Sequence, residues 1–223
     1  MSTLPPSLSS PAPAGRFSDW LRDMRASLAG GAGMDVACGD CVGCCTSSYY
    51  IKVRAHERRA LARIGEDHLE PEAAPDGSRF MGFRDDGHCR MFVAGGCSIY
   101  ADRPETCRTY DCRVYAAAGM DAGDGRAMIN ARIAGWRFEF ADERDRREHA
   151  AVQAAARYLC QHPVRFPSGR VPSRPAEIAV LAVKIYTVFL DPPATDREIV
   201  SAIVQAVRDF DRPPTQEVSR CTA

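Results

Sequence analysis

Four cysteines crowd into CGDCVGCC, at Cys38, Cys41, Cys44 and Cys45, and four more follow at Cys89, Cys97, Cys107 and Cys112. The spacings are C-x2-C-x2-C-C, then C-x7-C, then C-x9-C-x4-C. A C-x2-C turn lets two thiolates converge on one ion while backbone N–H groups of the turn donate to sulfur. Gly39 and Gly43 lie inside the two overlapping turns, where close backbone approach needs them. Eight thiols divide as well into two four-sulfur zinc sites as into one four-thiolate iron–sulfur cluster with four further thiols. The doublet Cys44-Cys45 points to two centres, or to one ligand plus a supporting thiol, because adjacent side chains diverge. Either centre carries about −2 with four thiolates, so nearby cations should offset it, and Lys52, Arg90, Arg103, Arg108 and Arg113 are the candidates.

Two other thiol chemistries fit less well. A disulfide framework belongs to an oxidising compartment, yet the start of the chain, MSTLPPSLSSPAPAG, has neither a basic nor an apolar export region. Overlapping C-x2-C and C-C would also give small, strained bridges. A thioredoxin-like dithiol needs a βαβ context that the flanking sequence lacks. Metal ligation is the expected chemistry. His88 is a lone loop histidine expected to be solvated, Cys160 is expected to be buried in a helix, and Cys221 falls in a loose tail.

Composition narrows the partners. Lys+Arg and Asp+Glu each total 29, so no broad field favours nucleic acid or an anionic membrane, and nucleic acid is not expected. No apolar run could span a bilayer, which leads to the expectation of a soluble, cytoplasmic protein without a transmembrane segment. There is no Gly-rich phosphate loop, no H-E-x-x-H and no nucleophile elbow, so no catalytic residue is assigned. The acid pairs Asp85-Asp86 and Asp142-Glu143 read as turn and helix-start residues.

These residues must be positioned by the elements around them. A Pro-, Ser- and Ala-rich stretch, 1–15, is expected to be disordered. FSDWLRDMRASLAGG places Phe17, Trp20, Leu21, Met24 and Leu28 at helical spacing, with Ser18 as cap. After the first cysteines, TSSYYIKV reads as a strand, and AHERRALARIGEDHL as a helix turning Ala60, Leu61, Ile64 and Leu69 inward. RFMGFRDDGHCRMFVAGGCSIY breaks at Asp-Asp-Gly and Gly-Gly, which predicts a hairpin. DRPETCRTYDCRVYAAAG predicts a helix with Asp102 as cap, Pro104 near its start and Gly119 as its stop. Cys107 and Cys112 lie about 140° apart on a continuous helix, so they can share a centre only if the helix ends between them. GWRFEF alternates as a strand, and helices follow from Asp142, over RPAEIAVLAVKIYTVFL, and from Thr195 or Asp196. The fold class predicted is α+β: a small cysteine-rich strand and loop core, 16–120 with its leading helix, and a mainly helical region, 121–212, packed on it, with a tail over 213–223.

The motif resembles the YkgJ-type cysteine-cluster proteins, the CxxCxxCC zinc- or iron-chelating family. The likeness rests on CGDCVGCC, the helix AHERRAL, and GHCRMFVAGGCSIYADRPETCRTYDC, within which Cys97 to Tyr110 is the longest specific stretch. It spans roughly residues 35 to 115. The resemblance implies that Cys38, Cys41, Cys44, Cys45, Cys89, Cys97, Cys107 and Cys112 are the metal-chelating set, holding zinc or iron. A related cluster in a flagellin lysine-methylase family looks like an iron–sulfur module, which adds weight to iron. The function expected is a metal-binding protein with a structural or metal-handling role. Its alternatives are an iron–sulfur redox or protein-modification enzyme and a zinc-stabilised interaction module with a protein partner.

Overall fold

The computed structural model describes residues 10–31, 33–34, 36, 41–166 and 172–212. Cys38 and Cys221 lie outside the described residues. In chain order the elements are β1 (Ala12–Arg16), α1 (Phe17–Leu28), β2 (Ile51–Val53), α2 (Arg58–Ile64), β3 (Arg79–Met81), β4 (Phe92–Val93), β5 (Gly96–Cys97), α3 (Glu105–Thr109), α4 (Arg113–Ala118), α5 (Ala127–Gly135), β6 (Trp136–Glu139), α6 (Glu143–Gln161), α7 (Pro175–Ile185) and α8 (Asp196–Phe210). The class is α+β, with long helices and three two-stranded sheets among the described residues.

Apolar burial divides into two clusters. The larger draws Phe17, Trp20, Leu21 and Met24 from α1, Tyr115 from α4, Ile129 from α5, Val152 and Leu159 from α6, and Val183 and Ile185 from α7. In α1 these residues recur at i, i+3, i+4 and i+7, the stripe that faces a core. Alanines at 155, 156, 179 and 182 are buried where α6 meets α7, so the two backbones approach closely. The smaller cluster has six buried members, Val53, Ala60, Ile64, Leu69, Met81 and Met91. It underlies the cysteine region, from β2 to α3.

The long helices start where their caps place them. The Asp142 carboxylate accepts from the Asp145 N–H at 3.0 Å and opens α6. Thr195 and Glu198 form a reciprocal capping box at α8. Gly119, left-handed at φ 67°, closes α4 as the sequence predicts.

Several expectations change. Residues 12–15, placed within the disordered tail by composition, belong to strand β1 (Ala12–Arg16), paired in parallel with β6 from Ala12↔Trp136 to Arg16↔Glu139. A partner more than a hundred residues away leaves no local signature. Ser18 does not cap α1; Arg16 occupies that position without a side-chain bond. α2 ends at Ile64 because Gly65 turns to φ 78°, so Leu69 is buried from outside the helix, bridging to Met81. The hairpin stretch splits: β3 pairs antiparallel with β2, and β4 pairs with β5 across Ala94 and Gly95. Both turn residues are left-handed, φ 50° and 83°, as a two-residue hairpin turn matching strand twist demands. Asp102 caps nothing; its carboxylate pairs with Arg59 at 2.9 Å and Arg63 at 3.1 Å, tying α2 to the approach of α3. Cys160 is exposed, because it falls past the buried Val152–Ala155–Leu159 stripe in the last turn of α6. α5 has no counterpart among the elements predicted from sequence.

The corner between the regions is built from a buried carboxylate. Asp111 Oδ2 accepts from the Trp20 indole at 2.9 Å and pairs with Arg113 at 2.8 Å, while Arg113 also donates to the Ala14 carbonyl. One charge pair thereby fixes α1, β1 and the start of α4 together.

Candidate metal centre

The first cysteine loop closes as a single tight turn, Gly43–Thr46. Cys45 N–H donates to the Val42 carbonyl at 2.9 Å, and the hydroxyls of Thr46 and Ser47 return to carbonyls of the same turn. Gly43 is buried against α5: a Cβ there would lie 3.0 Å from Ile129 Cγ1 and 3.2 Å from the Ile129 backbone nitrogen. Only glycine lets the loop seat on that helix.

The second and third segments dock on the first through the backbone. Cys89 N–H donates to the Cys45 carbonyl at 2.7 Å, and Cys89 also bridges Phe83 across the Asp85-Asp86-Gly87 turn. Cys97 lies in β5 opposite Phe92. Cys107 is carried by α3, whose start is held by Glu57. That buried carboxylate accepts from Glu105 N–H at 2.6 Å and Arg54 N–H at 2.8 Å, with Arg108 3.6 Å away. Thr106 Oγ1 donates to the Lys52 carbonyl at 2.6 Å and fastens α3 to β2. Four separate chain segments thus deliver thiols to one neighbourhood.

Electrostatics record the convergence. Burial, then Cys44, Cys89 and Cys97, push the Cys107 thiol up to about 12. Burial likewise raises Cys89, with Cys97 and Cys44 adding to it. The Cys44 thiol is raised mainly by its contact with the Cys45 thiol, then by burial. Cys41 is raised by burial and, less, by Cys44, while Arg132 acts in the opposite sense. Burial first, except at Cys44 where the Cys45 thiol leads, and then the neighbouring thiols disfavour the ionised form; a bound cation would reverse that preference. All eight described cysteines are free thiols.

Cys112 stands elsewhere. α3 ends at Thr109 and α4 begins at Arg113, so the helix does break between Cys107 and Cys112, yet Cys112 is buried in the larger core. Its sulfur accepts from the Trp136 indole N–H at 3.2 Å.

The candidate cations have other duties. Lys52 pairs with Asp76, Arg108 with Glu57, and Arg113 with Asp111. Arg103 lies over the Tyr100 ring at 4.0 Å and still lowers the Cys107 thiol. The Arg90 Nε is buried without a hydrogen-bond partner. The cations that act on Cys89 and Cys41 are Arg84 and Arg132, which the sequence reading did not single out. Glu57 was missed as well, since nothing local marks a helix-capping residue whose side chain serves a different helix. His88 contacts Asp86, Arg84 and the Phe92 ring instead of a thiol.

Among the described residues, no group of three or more His, Cys, Asp or Glu side chains is arranged to hold a metal ion. Cysteine sulfur is a donor type that suits zinc or iron.

The comparisons point the same way. The family model CxxCxxCC, described as "Putative zinc- or iron-chelating domain", matches residues 37–128, less than half of the chain. No curated protein and no solved structure matches it. The description supports a metal-binding role for the matched stretch. No described helix is long and apolar enough to cross a membrane.

Proposed function

We propose that this protein binds zinc or iron through its clustered cysteines and that the metal's role is structural: it fixes the cysteine region. The observation that carries this is the arrival of Cys44, Cys89, Cys97 and Cys107 from four chain segments over a core of only six buried apolar residues. Strands of two or three residues and so small a core supply little stability alone, and natural scaffolds of that kind add a metal or disulfides. Cys44 belongs with this four-thiol set, and Cys45 supports it by contact with the Cys44 thiol. Cys41, Cys112 and, outside the described residues, Cys38 complete the proposed ligands. A metal bound here supplies positive charge that holds the thiols deprotonated. Glu57 orients α3 and thereby Cys107, and the Cys45–Cys89 backbone bond sets the spacing of the first two segments. Free thiols suit a reducing compartment, and we place the protein in the cytoplasm.

Anaerobic purification followed by metal analysis and a visible spectrum tests the reading. Colourless protein carrying zinc supports it. Brown protein with iron and acid-labile sulfide transfers the site to iron–sulfur redox chemistry. Metal-free protein with reduced thiols overturns it.

A further inference from the structure

A cleft of about 320 Å³ lies on the seam between the two regions, and no cysteine lines it. One wall is apolar and belongs to the helices: Met24 and Leu28 from α1, Val114 from α4 and Val180 from α7, with Met24 and Val114 buried. The other wall belongs to the cysteine region, with Arg54 just after β2 and Glu105, Thr106 and Thr109 on α3. Small-molecule sites span roughly 300–1,000 Å³, so this one suits a compact ligand.

The polar wall is built before any ligand arrives. Arg54 Nε lies 3.1 Å from Glu105 Oε2, and His56 Nε2 lies 3.8 Å from the same oxygen. One buried carboxylate holds the backbone of both partners, because Glu57 accepts from the Arg54 N–H and from the Glu105 N–H. The hydroxyls beside them have committed their protons, Thr106 to the Lys52 carbonyl at 2.6 Å and Thr109 to the Glu105 carbonyl at 3.0 Å. Each therefore offers lone pairs only. Glu105 and these acceptors call for a positively charged N–H donor, while the half-exposed Arg54 guanidinium matches a carboxylate. A ligand with a single charge would set one member of the pair against a like charge; a zwitterion gives each member an opposite one.

We propose that this cleft binds a free apolar α-amino acid, with its ammonium on Glu105 and the threonine oxygens, its carboxylate on Arg54, and its side chain over Met24, Leu28, Val114 and Val180. Placement of Arg54 and Glu105 by Glu57 lowers the ordering cost of binding. No thiol takes part, so the site is independent of the metal-binding reading above. A bound amino acid touches both regions across their seam.

L-Leucine is the probe, titrated by calorimetry into the full-length chain as purified, and saturable heat is expected. 4-Methylpentanoate lacks the ammonium and 3-methylbutylamine lacks the carboxylate; each should bind about tenfold more weakly than leucine. Arg54→Gln should lower leucine affinity about tenfold and erase its advantage over the amine, and Glu105→Gln should do the same against the acid. Val180→Trp fills the apolar wall, leaves both charges in place and should abolish binding. Arg54→Gln alters only a half-exposed side chain and answers the question should Val180→Trp not fold. The proposal is overturned if neither leucine nor phenylalanine gives heat at millimolar concentration. Equal binding of either analogue overturns it too, as does undiminished leucine binding by Arg54→Gln.

Discussion

The helical region and the cysteine region reach order by opposite means. α6, α7 and α8 carry side-chain or proline starts, and α6 and α7 bury apolar stripes, with Val152, Leu159, Val183 and Ile185 essentially inaccessible. Between β2 and α3 the strands are two or three residues long and the buried apolar set is six. Polar ties stand in for a core there: Glu57 to α3, Asp102 to α2, Thr106 to β2. One region can hold its shape by hydrophobic burial, while the other, with a smaller buried apolar set, leans on polar ties around its clustered thiols.

The largest test of that contrast is metal removal. Chelation should abolish amide-exchange protection across residues 51–109 while α6 and α7 keep theirs; uniform loss would mean the two regions do not fold separately. Next in size is Leu159→Ala, which should cost about 2–5 kcal/mol by denaturant unfolding and leave metal content unchanged. A drop in bound metal would show that the thiol site depends on the helical core. Thr195→Ala removes the capping box of α8 and should cost about 1 kcal/mol, confined to that helix.

The smallest test concerns acid. His149 is enclosed by Phe17, Phe138 and Phe140, and burial lowers its pKa from 6.5. The folded state therefore disfavours the protonated ring, so this site leaves stability unaffected above the unfolded value and lowers it as pH falls from 6.5 through the depressed folded value. His149→Gln should flatten the decline of melting temperature over that window, and an unchanged slope would contradict the assignment.

Much of the helical region was legible in the sequence. Asp142, Thr195 and the period of α1 are local signals, and each marks an element that is present, though Ser18 misled as a cap. The cysteine spacings marked the chemistry but not the grouping. Whether Cys112 joins Cys107 depends on where a short helix stops and which core then receives the sulfur. Glu57, Arg84 and Arg132 escaped notice because they act across the fold, with no pattern in the residues beside them. β1 escaped for the same reason: a Pro- and Ala-containing stretch becomes a strand only through β6.

That parallel pair has a kinetic consequence. β1 and β6 lie on either side of the cysteine region, so their meeting closes a loop of more than a hundred residues. A cysteine region already compacted by metal shortens the effective span to be closed. If metal compacts that region, refolding of the helices should run faster with metal present than without it.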